Sequence, residues 1–318
     1  MAEQNKPGLM TRLKALMDRD TSALKRVHVI INPASGSDEP ILAPLNTVFR
    51  DLHIDWQIFV TKRPHDAERY AQQAVAMGVD VVAVYGGDGT VLEAASGMRG
   101  STIPLAILPG GTANVLSIEL GIPRDLKEAA ALIGAPNPTL RPVDMGLVGD
   151  HMFFHLGLGL EGEMIEATDR EAKSSSGMMA YIVSTLKRLR NPPLARYRIT
   201  MDGQTVELDG VNCMVTNFGS VGLGQIKLSH AIDMSDGLLD VLVIKDTNLS
   251  TLLTAASDAI FSGDLSNSDS LKHWQAKEVV IEADPPQAAT RDGEILDLEE
   301  IRATVVPGAV QVLIPSGA

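Results

Sequence analysis

Glycine, aspartate and threonine stand together in one short segment of this chain, Gly86-Gly-Asp-Gly-Thr90. It follows the apolar run Val81–Tyr85, which has the composition of a buried strand, and a helix-like pattern comes after it. Glycines permit a tight turn and let backbone N–H groups approach a ligand closely. The dipole of the following helix favours negative charge, and Thr90 adds a hydroxyl. The segment therefore indicates a phosphate-binding turn, with an ordinary strand-to-helix turn as the alternative.

This segment matches neither G-x-x-x-x-G-K-S/T nor G-x-G-x-x-G, so the best-known nucleotide-binding loops are not indicated at this position. A G-x-G-x-x-G match does occur at Gly157–Gly162. It lies in a strand-rich region, however, and Glu161 within it would repel a pyrophosphate. We interpret this second segment as close packing of strands.

Strands and helices alternate through the first part of the chain. This alternation predicts a parallel sheet with helices on both faces, an α/β arrangement in which ligands bind beyond the carboxyl ends of the strands. Polar or glycine-rich loops follow four of the predicted strands, so we expect them to meet on one rim. The predicted strands are Val27–Ile31, Ile54–Thr61, Val81–Tyr85 and Ile103–Leu108, and the predicted helices are 41–52, 65–77, 90–96, 114–120 and 125–133. The loops begin at Asn32, Thr61, Gly86 and Pro109.

The pattern changes after Pro136-Asn-Pro138, where strand-like runs separated by turn residues become frequent. Only two long helical patterns interrupt them, which predicts an antiparallel β-sandwich. We therefore divide the chain into an N-terminal amphipathic extension (1–26), an α/β domain (27–138) and a sandwich domain (139–318). The last strand, Ala309–Ile314, is compatible with either domain. The runs are 143–148, 152–158, 197–201, 211–217, 239–245, 278–283 and 303–306, and the helical patterns are 177–190 and 249–261.

Composition narrows the class of protein. With 318 residues and a net charge of −13, the chain lacks the basic face that general nucleic-acid binding requires. No apolar run approaches the roughly 20 residues of a membrane-spanning helix, and the N-terminus lacks the pattern of a signal peptide. The one cysteine, Cys213, lies in an apolar run and fits a reducing compartment. These features predict a cytoplasmic protein.

Two segments have patterns that suit a membrane surface. Residues 1–25 combine apolar positions at helical spacing with a basic polar face. The segment Gly177–Arg190 is rich in methionine and leucine, and it opens a basic stretch that reaches Arg198. Peripheral contact with the inner membrane surface through 1–25 or 177–198 is one interpretation. Ordinary helix packing and a solvated charged face are the other.

The motifs together resemble the diacylglycerol kinase catalytic superfamily, which includes bacterial lipid kinases and the eukaryotic sphingosine and ceramide kinases. The order and spacing of the matching pieces cover residues 27–305. The Gly-Gly-Asp-Gly-Thr motif is shared with NAD kinases, but the later pieces favour the lipid-kinase branch. Those pieces are Asn32-Pro-Ala-Ser-Gly36, Thr61, Gly86–Thr90 with Glu93, Gly111–Leu116, Val143-Asp-Met-Gly146, Ser235-Asp-Gly-Leu-Leu-Asp240 and Asp292-Gly-Glu294.

The resemblance implies a two-domain kinase with its active site in the cleft between the domains. ATP phosphates would be held by loop residues of the first domain, and a structural Mg²⁺ by a loop of the second. A carboxylate and carbonyl oxygens suit such a hard cation; a plain turn between strands is the alternative for that loop. The implied ATP-binding residues are Asn32, Thr61, Gly87, Asp88, Gly89, Thr90, Val91, Leu92, Glu93 and Thr112. The implied metal ligands are the Asp236 carboxylate and the carbonyls of Asp233 and Leu238.

Phosphoryl transfer to a hydroxyl requires positioning, charge neutralisation and a group that takes the hydroxyl proton. The resemblance implies Glu294 as this base, and Asp88 as the carboxylate on the metal or phosphate side. Asp88 is also the rival for the base. The implied reaction is ATP-dependent phosphorylation of a diacylglycerol-like or sphingoid lipid. A soluble NAD kinase and a catalytically weak lipid-binding or regulatory protein are the alternatives.

The chain departs from the family pattern at two places. Leu92 stands where the family often has asparagine, so a polar contact is expected to be missing. Ser229-His230 replaces a frequent Ala-Pro pair before the implied magnesium loop, which affects the path expected for that loop.

Overall fold

The computed structural model describes residues 25–36, 40–160, 194–221, 226–227, 229–245, 271–296 and 300–317. Most of the N-terminal extension, the helical patterns at 177–190 and 249–261, and Glu161 lie outside these residues. No helix in the described ranges is long and apolar enough to cross a membrane.

The first part alternates strands and helices as expected. Strands β1 to β4 pair in the order β2-β1-β3-β4, all parallel. The central strand β3 is buried along its whole length, which explains its continuous apolar sequence. The elements are β1 (Arg26–Ile31), α1 (Leu42–Asp51), β2 (Asp55–Val60), α2 (Asp66–Ala76), β3 (Val81–Gly86), α3 (Asp88–Gly97), β4 (Pro104–Pro109), α4 (Val115–Glu119), α5 (Leu126–Ala131) and a 3₁₀ turn at Leu132–Gly134.

Small residues allow α2 and α3 to pack closely. Ala67, Ala71, Ala94 and Ala95 are fully buried. A Cβ added to Gly97 would lie 2.3 Å from the Glu68 carbonyl oxygen, so only glycine fits there. This contact fixes the direction of α3, which begins at the phosphate-binding turn.

The second part is rich in antiparallel strands. Its strands are β5 (Thr139–Val148), β6 (His151–Phe153), β7 (His155–Gly159), β8 (Ala195–Met201), β9 (Gln204–Gly210), β10 (Asn212–Thr216), β11 (Ser220–Val221), β12 (Ile226–Lys227), β13 (Leu239–Ile244), β14 (Leu271–Ala276), β15 (Glu278–Asp284), β16 (Ala289–Arg291), β17 (Glu294–Leu296) and β18 (Ile301–Ile314).

Most of these strands belong to one of two large sheets. Strands β18, β15, β8 and β9 extend the parallel sheet beyond β4, while β14-β13-β10-β7-β16-β17 form a second, antiparallel sheet. Side chains from both sheets, including Tyr197, Ile199, Val215 and Val241, form one buried cluster between them. This arrangement confirms the predicted α/β region with a β-sandwich.

The predicted strand 152–158 is two strands. Phe154 separates β6, which pairs with β5 in the first sheet, from β7, which pairs with β10 and β16 in the second. Apart from His155 and Gly157, the run 152–158 is apolar because both strands are largely buried, so periodicity alone could not locate the break.

The predicted strands 303–306 and 309–314 are, in contrast, one strand. β18 runs from Ile301 to Ile314 with a register shift between Val306 and Val310, close to Gly308, whose φ is +54°. It pairs antiparallel with β5 and β15 and parallel with β4. The last strand therefore inserts between the parallel strands and the rest of the sheet. The division of the chain into 1–26, 27–138 and 139–318 stays a prediction.

We expect Val312→Ala to lower the free energy of unfolding by about 2–3 kcal/mol, because it removes two buried methyl groups from the centre of β18. The side chain of Val312 is fully buried against the α/β core. Gln311→Ala is the matched control, since Gln311 is only half-buried, and we expect it to lose less than about 1 kcal/mol. Urea unfolding measures both, and equal losses would contradict the packing of β18.

Candidate functional site

The loops that follow the parallel strands meet on one rim, as the sequence predicts. The Asn32 amide donates to the Tyr85 carbonyl at 2.9 Å, and the Gly110 amide donates to the Gly86 carbonyl at 3.0 Å. The Asn32 side chain then crosses the rim, where its Nδ2 donates to Oγ1 of Thr90 at 2.9 Å. Two of the predicted site residues are thus in direct contact.

The turn before α3 is packed against the loop after β4. Gly87 is extended and Asp88 begins the helix. A Cβ on Gly111 would lie 2.5 Å from the Gly87 Cα, so the two glycines permit this close approach. One Asp88 carboxylate oxygen accepts the Leu116 amide at 3.2 Å, at the start of α4. Asp88 is therefore held between the two loops.

Thr112 is exposed at the tip of the second loop. Asn114, in a left-handed conformation with φ +50°, holds this loop through two bonds to Gly111. Its Oδ1 accepts the Gly111 amide at 2.8 Å and its Nδ2 donates to the Gly111 carbonyl at 2.6 Å. The motif Gly-Thr-Ala-Asn contained Asn114, but its positioning role depends on the folded loop.

Thr61 begins the loop after β2, and Asp66 organises the residues that follow. The Asp66 carboxylate accepts the amides of Lys62 and Arg63 at 2.8 and 3.1 Å. Arg69 donates to it at 2.7 Å, and chiefly this bond lowers the pKa of Asp66 to about 2. The loop is therefore anchored by a carboxylate that stays ionised.

Glu93 and Val91 differ from the other predicted nucleotide-binding residues in what their side chains contact. The Glu93 carboxylate accepts the amides of His65 and Ala67 at 3.1 and 3.2 Å, so it caps the start of α2. The Val91 side chain is buried in the core, which leaves only its backbone facing the rim. Sequence reasoning did not reveal these two positioning roles, because both depend on how α3 packs.

The segment Asp292-Gly293 forms the two-residue turn between β16 and β17, with φ values of +48° and +87°. Positive φ at both positions is the type I′ geometry that this dipeptide favours. Glu294 follows with 76% of its side chain exposed, and Nη2 of Arg291 lies 3.1 Å from its carboxylate. No hydrogen bond joins Glu294 to Asp88 within the described part of the chain.

A cavity of about 760 Å³ lies between α3 and the end of β16, and we call it the central cleft. Its walls are α2, α3, the turn between β5 and β6, and the end of β16. Leu92 and Glu93 lie on one wall and Arg291 on another. The cleft therefore joins the helix that follows the phosphate-binding turn to the hairpin that carries Glu294.

The loop predicted to bind magnesium is held by its own side chains. Asp236 accepts the Leu238 amide at 2.9 Å with one carboxylate oxygen and Nε2 of Gln275 at 3.0 Å with the other. Asp233 accepts the Ser235 amide at 3.0 Å and Nη2 of Arg141 at 2.9 Å.

This loop has the donor chemistry of a hard cation site. Each Asp236 oxygen has a lone pair beyond the bond it accepts, and Asp233 and Leu238 would add carbonyl oxygens. Neither in this loop nor elsewhere in the described ranges are three acidic, histidine or cysteine side chains grouped to hold a metal. A cation in this loop would therefore depend on backbone carbonyls.

A chain of hydrogen bonds links this loop to the hairpin of Glu294. The two oxygens of Asp144 accept the amides of Gly237 and Gly308, both at 2.6 Å. Nδ2 of Asn217 donates to the Asp144 carbonyl, and the Asn217 amide donates to the Phe154 carbonyl at 3.0 Å.

Asp292 completes this chain from the other side. One of its carboxylate oxygens accepts the His155 amide at 3.1 Å, and both lie 3.3 Å from the Phe154 amide. Burial raises the pKa of Asp292 to about 7, although His155, the two amide bonds and Arg291 favour its charged form. The junction between β6 and β7 thus connects the loop predicted to bind magnesium to the hairpin that carries Glu294.

Asp240 is a further buried carboxylate behind the loop. It is fully buried on β13, and Nε2 of His273 lies 2.7 Å from one of its oxygens. Burial raises the pKa of Asp240, while His273 acts in the opposite direction. Asp240 ends the Ser-Asp-Gly-Leu-Leu-Asp motif, but the sequence does not predict a role for it.

The described residues of the segment Gly157–Gly162 agree with strand packing. Gly159 lies on β7 with φ +100°, and a Cβ there would come within 2.7 Å of both the Val211 carbonyl oxygen and the Tyr197 hydroxyl. Glycine is required here for steric reasons.

Comparison with known proteins gives a consistent result. Residues 26–148 match the diacylglycerol kinase catalytic domain, and residues 156–314 match the YegS C-terminal NAD kinase beta sandwich-like domain. A diacylglycerol kinase of Mycobacterium tuberculosis is 30% identical over 91% of this chain and 95% of its own length. One from Bacillus subtilis is 28% identical, covering 85% of this chain and 90% of its own.

Solved structures have the same architecture. A crystal structure from Bacillus anthracis, described as a diacylglycerol kinase, superimposes with a TM-score of 0.71 at 27% identity. The alignment covers 92% of this chain and 98% of that one. The fold and the order of the site loops are therefore shared with proteins of this description.

We expect the contribution of Asp292 to the stability of the protein to fall as the pH rises from about 4 to 7. Its pKa is higher in the folded protein than the usual 3.8, so the folded state binds the proton more tightly. The stabilisation that Asp292 provides is fully present below about pH 4 and is lost as the pH rises through about 7. Over this range its contribution to the free energy of unfolding falls by at most about 1.4 kcal/mol per pH unit.

Asp292→Asn should remove this component of the slope, because asparagine keeps an oxygen for the His155 and Phe154 amides but does not titrate. Urea unfolding between pH 4 and 8 measures it. Asp233→Asn, at an exposed carboxylate, serves as the control. A variant slope equal to that of the wild type would show that Asp292 does not titrate in this range.

We expect Glu93→Ala to lower the free energy of unfolding by about 1–2 kcal/mol, because the amides of His65 and Ala67 lose their acceptor. Glu68→Ala is the matched control on the facing helix, since among the described residues the Glu68 carboxylate pairs with the side chains of His65 and Gln72 and with no backbone amide. Thermal unfolding measures both variants. A Glu93→Ala variant as stable as the control would rule out the capping role.

Proposed function

Because this chain belongs to the diacylglycerol kinase family of lipid kinases, we propose that it transfers the γ-phosphoryl group of ATP to a lipid hydroxyl. The acceptor is a diacylglycerol-like or sphingoid lipid. The observation that carries the proposal is the central cleft, which joins the helix of the phosphate-binding turn to the hairpin of Glu294.

The ATP phosphates bind at the rim of the parallel strands. Asp88 and Gly89 are the first residues of α3, where backbone amides have no partner within the helix. These amides and the Thr90 hydroxyl, oriented by Asn32, are suited to phosphate oxygens. Thr61 and Thr112 add hydroxyls from the neighbouring loops. Val91 and Glu93 contribute through the backbone, since their side chains contact other elements.

The proton of the acceptor hydroxyl passes to Glu294, and the hydroxyl oxygen attacks the γ-phosphorus. Glu294 suits this role because it is exposed beside the cleft rather than buried. Asp88 acts on the phosphate side, because one of its oxygens is bound to the Leu116 amide and the other remains for a metal ion. Mg²⁺ bound with ATP would neutralise the phosphate charge.

The loop of Asp233, Asp236 and Leu238 holds a structural cation in this proposal. Its place next to Asp144 suggests what it does, since the hydrogen bonds of Asp144 and Asn217 connect the loop to the junction that Asp292 binds. A cation there would stiffen the loop and, through this chain, the hairpin of Glu294.

The lipid is presented at the inner surface of the membrane, and the protein is cytoplasmic in this proposal. Arg196 and Arg198, which end the basic stretch of the sequence, both pair with Glu207 on the neighbouring strand. Their charges are therefore compensated. We assign the membrane contact to 1–25 or to the earlier part of 177–198.

We expect radiolabelled ATP to yield labelled phosphatidic acid or a labelled phosphosphingolipid when mixed micelles carry the matching acceptor. Glu294→Gln and Asp88→Asn should each lower kcat by at least about 10²-fold, because one removes the base and the other the phosphate-side carboxylate. Glu282→Gln, on the remote face beside Arg198, is the matched control and should keep wild-type activity.

The other outcomes discriminate between functions. Labelled NADP from NAD without lipid would establish a NAD kinase instead. No labelled product from any acceptor, with ATP still bound, would leave a lipid-binding or regulatory protein. Full activity in Glu294→Gln with none in Asp88→Asn would identify Asp88 as the base.

A further inference from the structure

Arg291 stands directly before the hairpin turn, on the inner face of the second sheet. Strand positions alternate between faces, so Ala289 and Arg291 on β16 share one face. Arg291 pairs with Glu294 across the turn, and Ala289 with Leu296. Ala289 and Leu296 belong to the core between the sheets. Arg291 therefore continues the inner face beyond the core and lines the central cleft, and the exposed Glu294 lies next to it.

The guanidinium of Arg291 has donors that its described neighbours do not use. Its Nη2 lies 3.1 Å from the Glu294 carboxylate, and only 13% of the side chain is exposed. Its Nε is shielded from solvent and has no acceptor among the described residues. A shielded donor without an acceptor is unfavourable, because it has lost its hydrogen bonds to water. An arginine in this condition is suited to a ligand that brings oxygen acceptors.

The residues that line the cleft restrict the chemical class of that ligand. Leu92 and Glu93, directly after the phosphate-binding turn, line the same cavity as Arg291. The Glu93 carboxylate is bound to two amides, and Glu68 lies 3.8 Å from His65, so neither faces Arg291 as an ion-pair partner. A phosphoryl group that reaches an acceptor at Glu294 comes close to Arg291, because Nη2 of Arg291 lies 3.1 Å from the Glu294 carboxylate.

We propose that Arg291 is a catalytic residue that contacts the transferring phosphoryl group. The inference rests on the function proposed above. In the step, the acceptor oxygen forms a bond to the γ-phosphorus and its proton passes to Glu294. The bond from the γ-phosphorus to the bridging oxygen breaks, and ADP leaves with that electron pair. Arg291 keeps its protons and donates hydrogen bonds to the equatorial phosphoryl oxygens, where negative charge is spread.

Arg291 also orients the base before the acceptor arrives. Glu294 is largely exposed, and Arg291 is its one ion-pair partner within the described residues. A planar guanidinium can bind a carboxylate and a phosphate at the same time with different N–H groups, which an ammonium cannot do in the same geometry. Lysine should therefore replace Arg291 poorly.

The test compares Arg291→Ala and Arg291→Lys with Arg50→Ala and Arg302→Ala. Arg50 pairs with its neighbour Asp51, Arg302 pairs with Glu278 and Glu300, and neither arginine lines the cleft. We expect kcat to fall about 10²–10³-fold in Arg291→Ala, with the KM for ATP changed by less than about threefold. Both controls should stay within about threefold of the wild type.

Two readouts separate catalysis from a structural role. Guanidinium ion at millimolar concentration should restore at least about tenfold of the kcat of Arg291→Ala, and should not affect Arg291→Lys or the controls. By calorimetry, ADP with aluminium fluoride should bind Arg291→Ala at least about tenfold more weakly than the wild type, while ADP alone binds equally.

The outcomes distinguish this inference from the function on which it rests. If the wild type is active and the kcat of Arg291→Ala is within about threefold of the wild-type value, the role of Arg291 is overturned and the proposed kinase function stands. Loss of activity without guanidinium rescue, and with equal binding of ADP and of ADP with aluminium fluoride, would also overturn it. Absence of any phosphorylated product from the wild type would overturn both proposals.

Discussion

The site depends on the hydrogen bonds of Asn217 and Asp144 at the place where the chain passes from one sheet to the other. Asn217 binds the Phe154 carbonyl through its amide and the Asp144 carbonyl through its side chain. Both side chains are buried, so their bonds are not weakened by competing water. Because Asp144 also holds Gly237 and Gly308, one buried group fixes the position of the loop predicted to bind magnesium and of β18, the longest strand among the described residues.

Much of the fold could be predicted because its signals are local. β3 and β4 are continuous apolar runs, and the helices have apolar faces at the right spacing, so the predicted boundaries differ from the structure by only a few residues. The β6–β7 break could not be predicted, because Phe154 continues the apolar run of Met152 and Phe153. The continuity of β18 could not be predicted either, because Pro307-Gly308 is a sequence typical of turns. Strands β9 and β14 were missed because one or both of their faces are polar, as in Leu271-Lys-His-Trp-Gln-Ala276.

In the candidate site, too, some contacts could be predicted from the sequence and others could not. The contact of Asn32 with Thr90 follows from the rule that loops at the carboxyl ends of parallel strands meet. The capping role of Glu93 does not follow from the sequence, because it depends on the glycine that lets α2 and α3 approach. The position of Arg291 requires knowledge of which face of β16 is the inner one. Residues that act on neighbours in space, rather than in sequence, are the ones that sequence patterns leave out.

The insertion of β18 between β4 and the later strands has a consequence for synthesis. The edge of β4 that β18 covers carries backbone groups that have no partner until residues 311 and 312 have been made. A nascent chain can form β1 to β4 and their helices early, but it must keep that edge open while the ribosome adds some two hundred residues. An open strand edge is a surface on which other chains can pair. Other chains can therefore pair with this edge of β4 for longer than they could in a domain built from consecutive elements.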